Sequence, residues 1–360
     1  MKKLLLILAF VALALTGFAN PLAADFFKDK TVKILVNFPA GGPSDIEARI
    51  ISRYLGKYLP GHPTVVVVNM GGAGGLIATN YMGEIIPNDS TQVSFFTWNP
   101  LAQILGDPAL RVGYHKFRMV AGFRQPAVVY FRKDIKPSLN TATEILKADP
   151  FVVGALAPNT HTTLRSALAF DLLGLKYKMV TGYPGLKEVE LAVMKGEVHA
   201  ASTSLAGYVS SIEPTMVTRG VVLPVFQYDV EDSQGRFSPS DALPNVPTFL
   251  DLYRKKTGSG NLPQGEQWEA LRLISSIMDN LYRAVFMPPN ASDVAVADMR
   301  RAFAALQSDE DFKAEYRKLV GLAPEILDGE QAEKVVQKLR DADPSMATFL
   351  NAYVANLMRH

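Results

Sequence analysis

The sequence predicts an α/β protein of two lobes, each a mainly parallel sheet flanked by helices. Apolar, β-branched strands alternate with glycine loops and amphipathic helices in the first third of the chain, and the alternation begins anew near Val128. Strands that are apolar throughout and are each followed by a helix belong in parallel sheet covered on both faces. At 360 residues and 48% hydrophobic, the chain is long enough for two domains of ordinary size.

The first segment, "MKKLLLILAFVALALTGFAN", has two lysines, an apolar run from Leu4 to Leu15 and small residues at Gly17 and Ala19. This is a secretory signal peptide over residues 1–19, with cleavage after Ala19 and a second candidate after Ala24. The run is shorter than the roughly 20 residues of a membrane-spanning helix. Cysteine is absent, which excludes a lipid-modified N-terminal cysteine, disulfides, thiolate metal sites and a cysteine nucleophile. The 37 basic residues include Lys2 and Lys3, so removal of the signal leaves basic residues equal to the 35 acidic ones. With no basic surplus, nucleic acid is not an expected partner.

The strand "TVKILVNF" (Thr31 to Phe38) is followed by a helix from Ser44 to Leu59 with Ile46, Ile50, Leu55 and Leu59 as core positions. "TVVVVNM" (Thr64 to Met70) is a second strand, "LIATNYMGEI" a second helix and "TQVSFFTW" (Thr91 to Trp98) a third strand. The second series contains "AVVYF", the helix "TATEILKA", the strand "FVVGAL", a helix from Thr162 to Leu173 and the strand "KYKMVTGY". The helix "GLKEVELAVMKGE" and the strands "VHAAST" and "GVVLPVFQ" complete it. Asp229 to Gly265 is rich in Pro, Ser, Gly and Asp and reads as an extended surface connection. Helices are expected beyond it, including Ala291 to Gln307 and Gly329 to Ala342.

Two glycine loops carry the chemistry. A helix starts with backbone N–H groups that lack internal partners and holds about half a positive charge there. A glycine-rich loop ahead of it lets an anion reach those groups without meeting a Cβ. In "NFPAGGPSDIEAR", Ala40, Gly41 and Gly42 supply open backbone, Pro43 suits a first helical turn, and Ser44 or Asp45 can cap it. "NMGGAGGLIATN" repeats the device with Gly71, Gly72, Gly74 and Gly75 around Ala73. Each loop alone also reads as a tight turn. Two at the same end of adjacent parallel strands point to a shared pocket outside the strand ends. Neither loop matches a nucleotide fingerprint, which leaves a small carboxylate as the simpler anion.

At these residues the chain resembles the extracytoplasmic solute receptors of tripartite tricarboxylate transporters, the Bug receptor family. Their first loop runs FPAGG, a short gap, Asp and a helix ending in Ala-Arg, as "FPAGGPSDIEAR" does here. Asn69 with "GAGG" (Gly72 to Gly75), Asn99-Pro100, "GYPGLKEVELAVMKGEVHA" and "LPNVPTF" (Leu243 to Phe249) follow in the family's order over nearly the whole mature chain. The departures are Pro158 and Asn159 where the family has glycines, His199 where it often has Asp, and a longer segment from Arg254 to Ser276.

The resemblance implies a type II-like Venus flytrap of the periplasm. One lobe comprises residues 25–127 plus 282–360 and the other residues 128–281. It implies a small organic carboxylate as ligand, integral-membrane transporter subunits as partners, a monomer, and neither cofactor, metal nor catalysis. The first lobe offers the ligand the backbone of the two glycine loops: Ala40, Gly41, Gly42, Ser44 and Asp45, with Gly72, Ala73, Gly74 and Gly75. The second lobe closes with Asn159, Thr160, His161, Thr162 and Tyr183, and with Ser202, Thr203 and Ser204. Phe38, Trp98 and Tyr183 either line the cleft or belong to the core.

Two other readings compete with this one. An exported hydrolase needs a nucleophile and a base, yet "ASTSLAG" is not GxSxG and the histidines are scattered singly, with His161 beside a Ser/Thr-rich loop the only arrangement to test. A ligand-sensing partner of a membrane sensor binds its ligand in the same way and differs only in what its closed form docks to.

Overall fold

The computed structural model describes residues 26–358 except 87–89, 233, 338 and 340–342. The expected signal peptide, residues 1–19, lies outside the described residues.

The first series follows its expected order: β1 (Thr31–Val36), α1 (Pro43–Tyr58), β2 (Thr64–Asn69), α2 (Leu76–Glu84) and β3 (Gln92–Ser94). β1 pairs in parallel with β2 and β3 on its two sides. Pro43 starts α1 where its missing N–H costs nothing, and Ile50, Leu55 and Leu59 are buried while Ile46 is half-buried. The third strand is shorter than the expected Thr91 to Trp98. After Phe95, whose N–H still donates to the Leu35 carbonyl, the chain bonds elsewhere, through a bridge in which Phe96 and Ala284 exchange backbone hydrogen bonds of 3.0 and 2.9 Å.

That bridge joins the parallel strands to a second group. Past α3 (Pro100–Ile104), β4 (Arg118–Arg124) pairs antiparallel with β12 (Arg283–Met287) and β13 (Glu325–Asp328), whose order is β12-β4-β13. Strands before residue 125 and after residue 282 thus form one layered unit. Between them, β5 (Ala127–Arg132), β6 (Phe151–Gly154), β7 (Tyr177–Val180), β8 (Ala200–Ser204) and β9 (Val222–Gln227) form a sheet of order β7-β6-β8-β5-β9. Its β6 pairs in parallel with β7 and β8, and β5 antiparallel with β8 and β9. The helices α4 (His161–Leu172) and α5 (Leu186–Lys195) connect β6 to β7 and β7 to β8.

Three expectations are corrected. "TATEILKA" is a 3-10 stretch, Ala142–Lys147, since six residues ahead of Pro150 cannot sustain an α-helix. The connection from Asp229 to Gly265 holds a two-stranded hairpin, β10 (Val230–Glu231) with β11 (Phe237–Ser238), and the helix α6 (Phe249–Thr257). A capping box starts α6: Thr248 Oγ1 accepts from Asp251 N–H at 3.1 Å and Asp251 Oδ2 accepts from Thr248 N–H at 2.9 Å. Beyond α7 (Glu266–Asn280), two short strands, β12 and β13, interrupt the expected run of helices α8 (Asp293–Leu306), α9 (Glu310–Val320), α10 (Gly329–Gln337) and α11 (Pro344–Leu357). α11 packs on α7, and Tyr353 of α11 bonds to Asp171 of α4, so the C-terminal helix lies against helices of the five-stranded sheet.

The chain passes between the two units at Gln125-Pro126 and at Leu281-Tyr282. There Glu47 of α1 and Arg283 of β12, both buried, form an ion pair, with Arg283 Nε 2.8 Å from Glu47 Oε2. Gln125 and Tyr316 donate to the other carboxylate oxygen at 3.0 and 2.6 Å, which satisfies a charge that would otherwise be costly to bury.

Candidate functional site

The two glycine loops leave the carboxyl ends of β1 and β2 side by side. In the first, Gly41 is left-handed (φ +82°), and a Cβ there would meet nothing within 4 Å. Its N–H donates to Asp45 Oδ2 at 2.8 Å, and Arg49 donates to the same oxygen at 2.9 Å. Burial pushes the Asp45 carboxyl up, but the hydrogen bonds from Arg49, Gly41 and Asn69 outweigh it and hold the group below its ordinary value. Asp45 therefore stays charged and fastens the loop. In the second loop Ala73, Gly74 and Gly75 form a single 3-10 turn ahead of α2, with φ of +48°, +62° and +93°. Only glycine adopts two such angles in succession at little cost.

Three helix starts next to these loops lack side-chain caps among the described residues. No side chain caps the N-terminus of α1 at Gly42, of α2 at Gly75 or of α4 at Thr160. The first two belong to one unit and the third to the other, and they meet closely. A Cβ on Gly74 would stand 3.0 Å from Thr160 Cγ2 and 3.4 Å from Ala157 Cβ. A Cβ on Gly185 would lie 3.2 Å from Pro39 Cδ, and one on Gly207 2.7 Å from Pro43 Cγ. Asn159 reaches across to hydrogen-bond the Asp107 carboxylate. The loops of the two sheet groups touch here.

The remaining residues named from the sequence fall into two groups. Thr160, His161, Thr162, Ser202, Thr203 and Ser204 are buried at the start of α4 and the end of β8. Thr160 Oγ1 donates to the Ala157 carbonyl at 2.9 Å and meets Thr163 Oγ1 at 2.9 Å, so this hydroxyl is engaged locally. Ser44 is buried at the start of α1, and Ser204 Oγ accepts from Gly207 N–H at 3.4 Å. Ser202 Oγ and His161 Nε2 are buried with no partner among the described residues. Burial, with the charges of Arg165 and Arg283, pushes the His161 imidazole well below its ordinary value, so it is neutral.

The aromatic residues sit differently. Phe38 belongs to the apolar cluster of the five-stranded unit, with Tyr183 packed at its edge. Trp98 is fully buried, its ring set edge-on to Tyr114 and its indole N–H donating to the Leu281 carbonyl. This is a core placement.

Four polar residues at this place escaped the sequence reading. Asn99 is 2% exposed, and neither side-chain amide atom has a partner among the described residues. Arg165, one turn along α4 from His161, pairs with Asp279 at 3.1 Å and lies 3.8 Å from the Tyr228 ring centroid, with Nε and Nη1 unpartnered among the described residues. Arg283 and Gln125 lie at the crossings. Asn99-Pro100 was visible as a landmark, but Asn before Pro reads equally as a helix cap. A separate cavity of about 830 Å³ is lined by Gln125, Leu205, Glu231, Arg272, Asp279 and Glu325 among others, and by no residue of either glycine loop. Glu231 and Asp279 there are already paired with Arg272 and Arg165.

No family model matches the chain. Protein BugT of Bordetella pertussis (strain Tohama I) is 35% identical over 102 residues, 28% of this chain and 30% of its own length. A UPF0065 protein from the gbd 5' region of Cupriavidus necator is 25% identical over 321 residues, 85% of this chain and 90% of its own. The structure of the periplasmic binding protein BugD aligns with a TM-score of 0.65 and 18% identity, covering 90% of this chain and 97% of that one. MatC from Rhodopseudomonas palustris with bound malate aligns with a TM-score of 0.60 and 19% identity, covering 91% and 97%. At that identity the two structures speak for the fold alone. In sequence the chain is similar to BugT and to UPF0065 proteins, and it shares its fold with the periplasmic binding protein BugD.

Proposed function

We propose that the chain is a periplasmic receptor that captures a small organic carboxylate between its lobes and delivers it to a tripartite tricarboxylate-type membrane transporter. The observation that carries this reading is the approach of the α2 and α4 starts, both without side-chain caps, with Gly74 against Thr160. Their free N–H groups and dipoles favour one compact anion. MatC, of the same fold, binds malate. Hydrogen bonds to a charged group contribute about 1.5 to 3 kcal/mol each, so a few suffice for micromolar affinity.

In this reading residues 25–127 with 282–360 form one lobe and 128–281 the other, with α11 reaching back as a strap across both. Residues 1–19 direct export and are removed by cleavage after Ala19. Ala40, Gly42 and Ser44 with Gly72 to Gly75 cradle the carboxylate, Asp45 holds the first loop by accepting the Gly41 N–H, and Asn159 to Thr162, Tyr183 and Ser202 to Ser204 close the far side.

The test is calorimetry on the mature protein, stripped of co-purified ligand, against mono-, di- and tricarboxylates and matched small amides. A true ligand at 100 times its dissociation constant raises stability by about 2.7 kcal/mol. A flat response to every carboxylate overturns the reading, and turnover of any panel member favours a hydrolase instead.

A further inference from the structure

We infer that Asn99 reads a hydrogen-bond donor on the ligand, so that the preferred substrates are hydroxy, amino or amide acids and not plain carboxylates. The inference rests on the carboxylate reading above.

Asn99 occupies the N-cap position of α3, where an asparagine side chain ordinarily accepts a hydrogen bond from the first turn. Here it does not: the Asn99 carbonyl takes the Ala102 N–H at 3.2 Å, and the side chain makes no cap. The residue is pinned from behind, its own N–H donating to Tyr114 Oη at 3.0 Å. Its amide lies beside Gly74, with Nδ2 3.8 Å from the position of a Cβ there, where Thr160 and Ala157 approach from the other lobe.

Both amide atoms are buried without a partner among the described residues, and so is His161 Nε2. Whichever way the amide is turned, one of its two atoms is an acceptor. An acceptor needs an N–H or O–H, and a carboxylate has neither. A ligand that is only a carboxylate satisfies the amide N–H and strands the oxygen, whereas a hydroxyl, ammonium or carboxamide supplies the missing donor. A buried polar group left unpaired typically costs about tenfold in affinity.

The test compares matched pairs by calorimetry: propanoate with lactate, succinate with malate, glutarate with 2-hydroxyglutarate. Chain length and charge cancel within each pair. The expected result is that the hydroxylated member of a binding pair is preferred about tenfold or more, and that Asn99→Ala cuts the preference below about threefold. Asn99→Asp, which keeps an acceptor, weakens every acid but retains the preference, and it serves if the alanine variant misfolds. Equal affinity within every binding pair, or a preference unchanged in Asn99→Ala or lost in Asn99→Asp, overturns the inference and leaves the carboxylate reading standing. Binding of no acid at all overturns both.

Discussion

Asn37 and Thr97 exchange two hydrogen bonds across 60 residues of sequence, Asn37 Nδ2 donating to the Thr97 carbonyl at 2.9 Å and Asn37 Oδ1 accepting the Thr97 N–H at 3.1 Å. The side chain substitutes for a strand where β3 has left the ladder, and it fixes the spacing between the first glycine loop and Asn99. Replacing Asn37 with Ala strands a buried donor and a buried acceptor. We expect a loss of about 2 to 4 kcal/mol, read as a lower urea midpoint with an unchanged slope. A loss under about 0.5 kcal/mol would mean that water replaces the amide without penalty.

Gly74→Val tests the loops directly. The glycine is left-handed, and its side-chain direction points at Thr160 of the opposite lobe. A β-branched residue meets both the strain of φ +62° and the contact, so it props the lobes apart. Ligand affinity is expected to fall more than about tenfold while the circular dichroism spectrum stays native, because the strain falls on a loop outside the sheet. Gly41→Val faces open space and also weakens binding, by filling the room a ligand occupies. Wild-type affinity in both variants would remove the paired loops from the site.

How much of this was legible in advance depended on the range of the signal. β1, β2 and the loops after them are announced by neighbouring residues, as β-branched runs followed by glycines. The helix α6 also had a local signal, Thr248 three residues before Asp251, but the surrounding Pro, Ser and Gly obscured it. The buried arginines had none. Arg165 pairs with Asp279 114 residues away and Arg283 with Glu47 236 residues away, and no local pattern reports a partner at that distance. Trp98 illustrates the same limit, since only the carbonyl of Leu281 decides that its indole faces the core. β12 and β13 are five and four residues long and flanked by helices, too short for periodicity to separate them.

Asp229 predicts a pH dependence. Its carboxyl is pushed up to about 6, chiefly by burial, against hydrogen bonds from Thr248 and Leu250 that lower it. Because the folded state holds this proton more tightly than the unfolded state, whose carboxyl titrates near 3.8, the fold loses stability as pH rises from about 4 to about 6. Asp229→Asn keeps an acceptor for the Leu250 N–H, 3.0 Å away in the native protein, and removes the titration. The variant is expected to be the more stable at pH 7.5, by about 2 kcal/mol, and to lose that advantage at pH 4. Urea midpoints that track the wild type at both pH values would show that Asp229 is solvated.

Asn159→Ala separates closure from contact. The Asn159 amide bonds to Asp107 across the lobe boundary, and both residues are half-buried, so the bond forms only when the lobes meet. A bond present in the closed state and absent in the open one shifts the equilibrium between them without altering either unliganded lobe. Its net contribution is about 1 kcal/mol, which corresponds to roughly a fivefold loss of affinity. Stopped-flow kinetics should place that loss in faster dissociation, with association unchanged, since the open receptor that meets the ligand lacks the bond in wild type and variant alike. If association slows instead, Asn159 touches the incoming ligand, and its role is recognition.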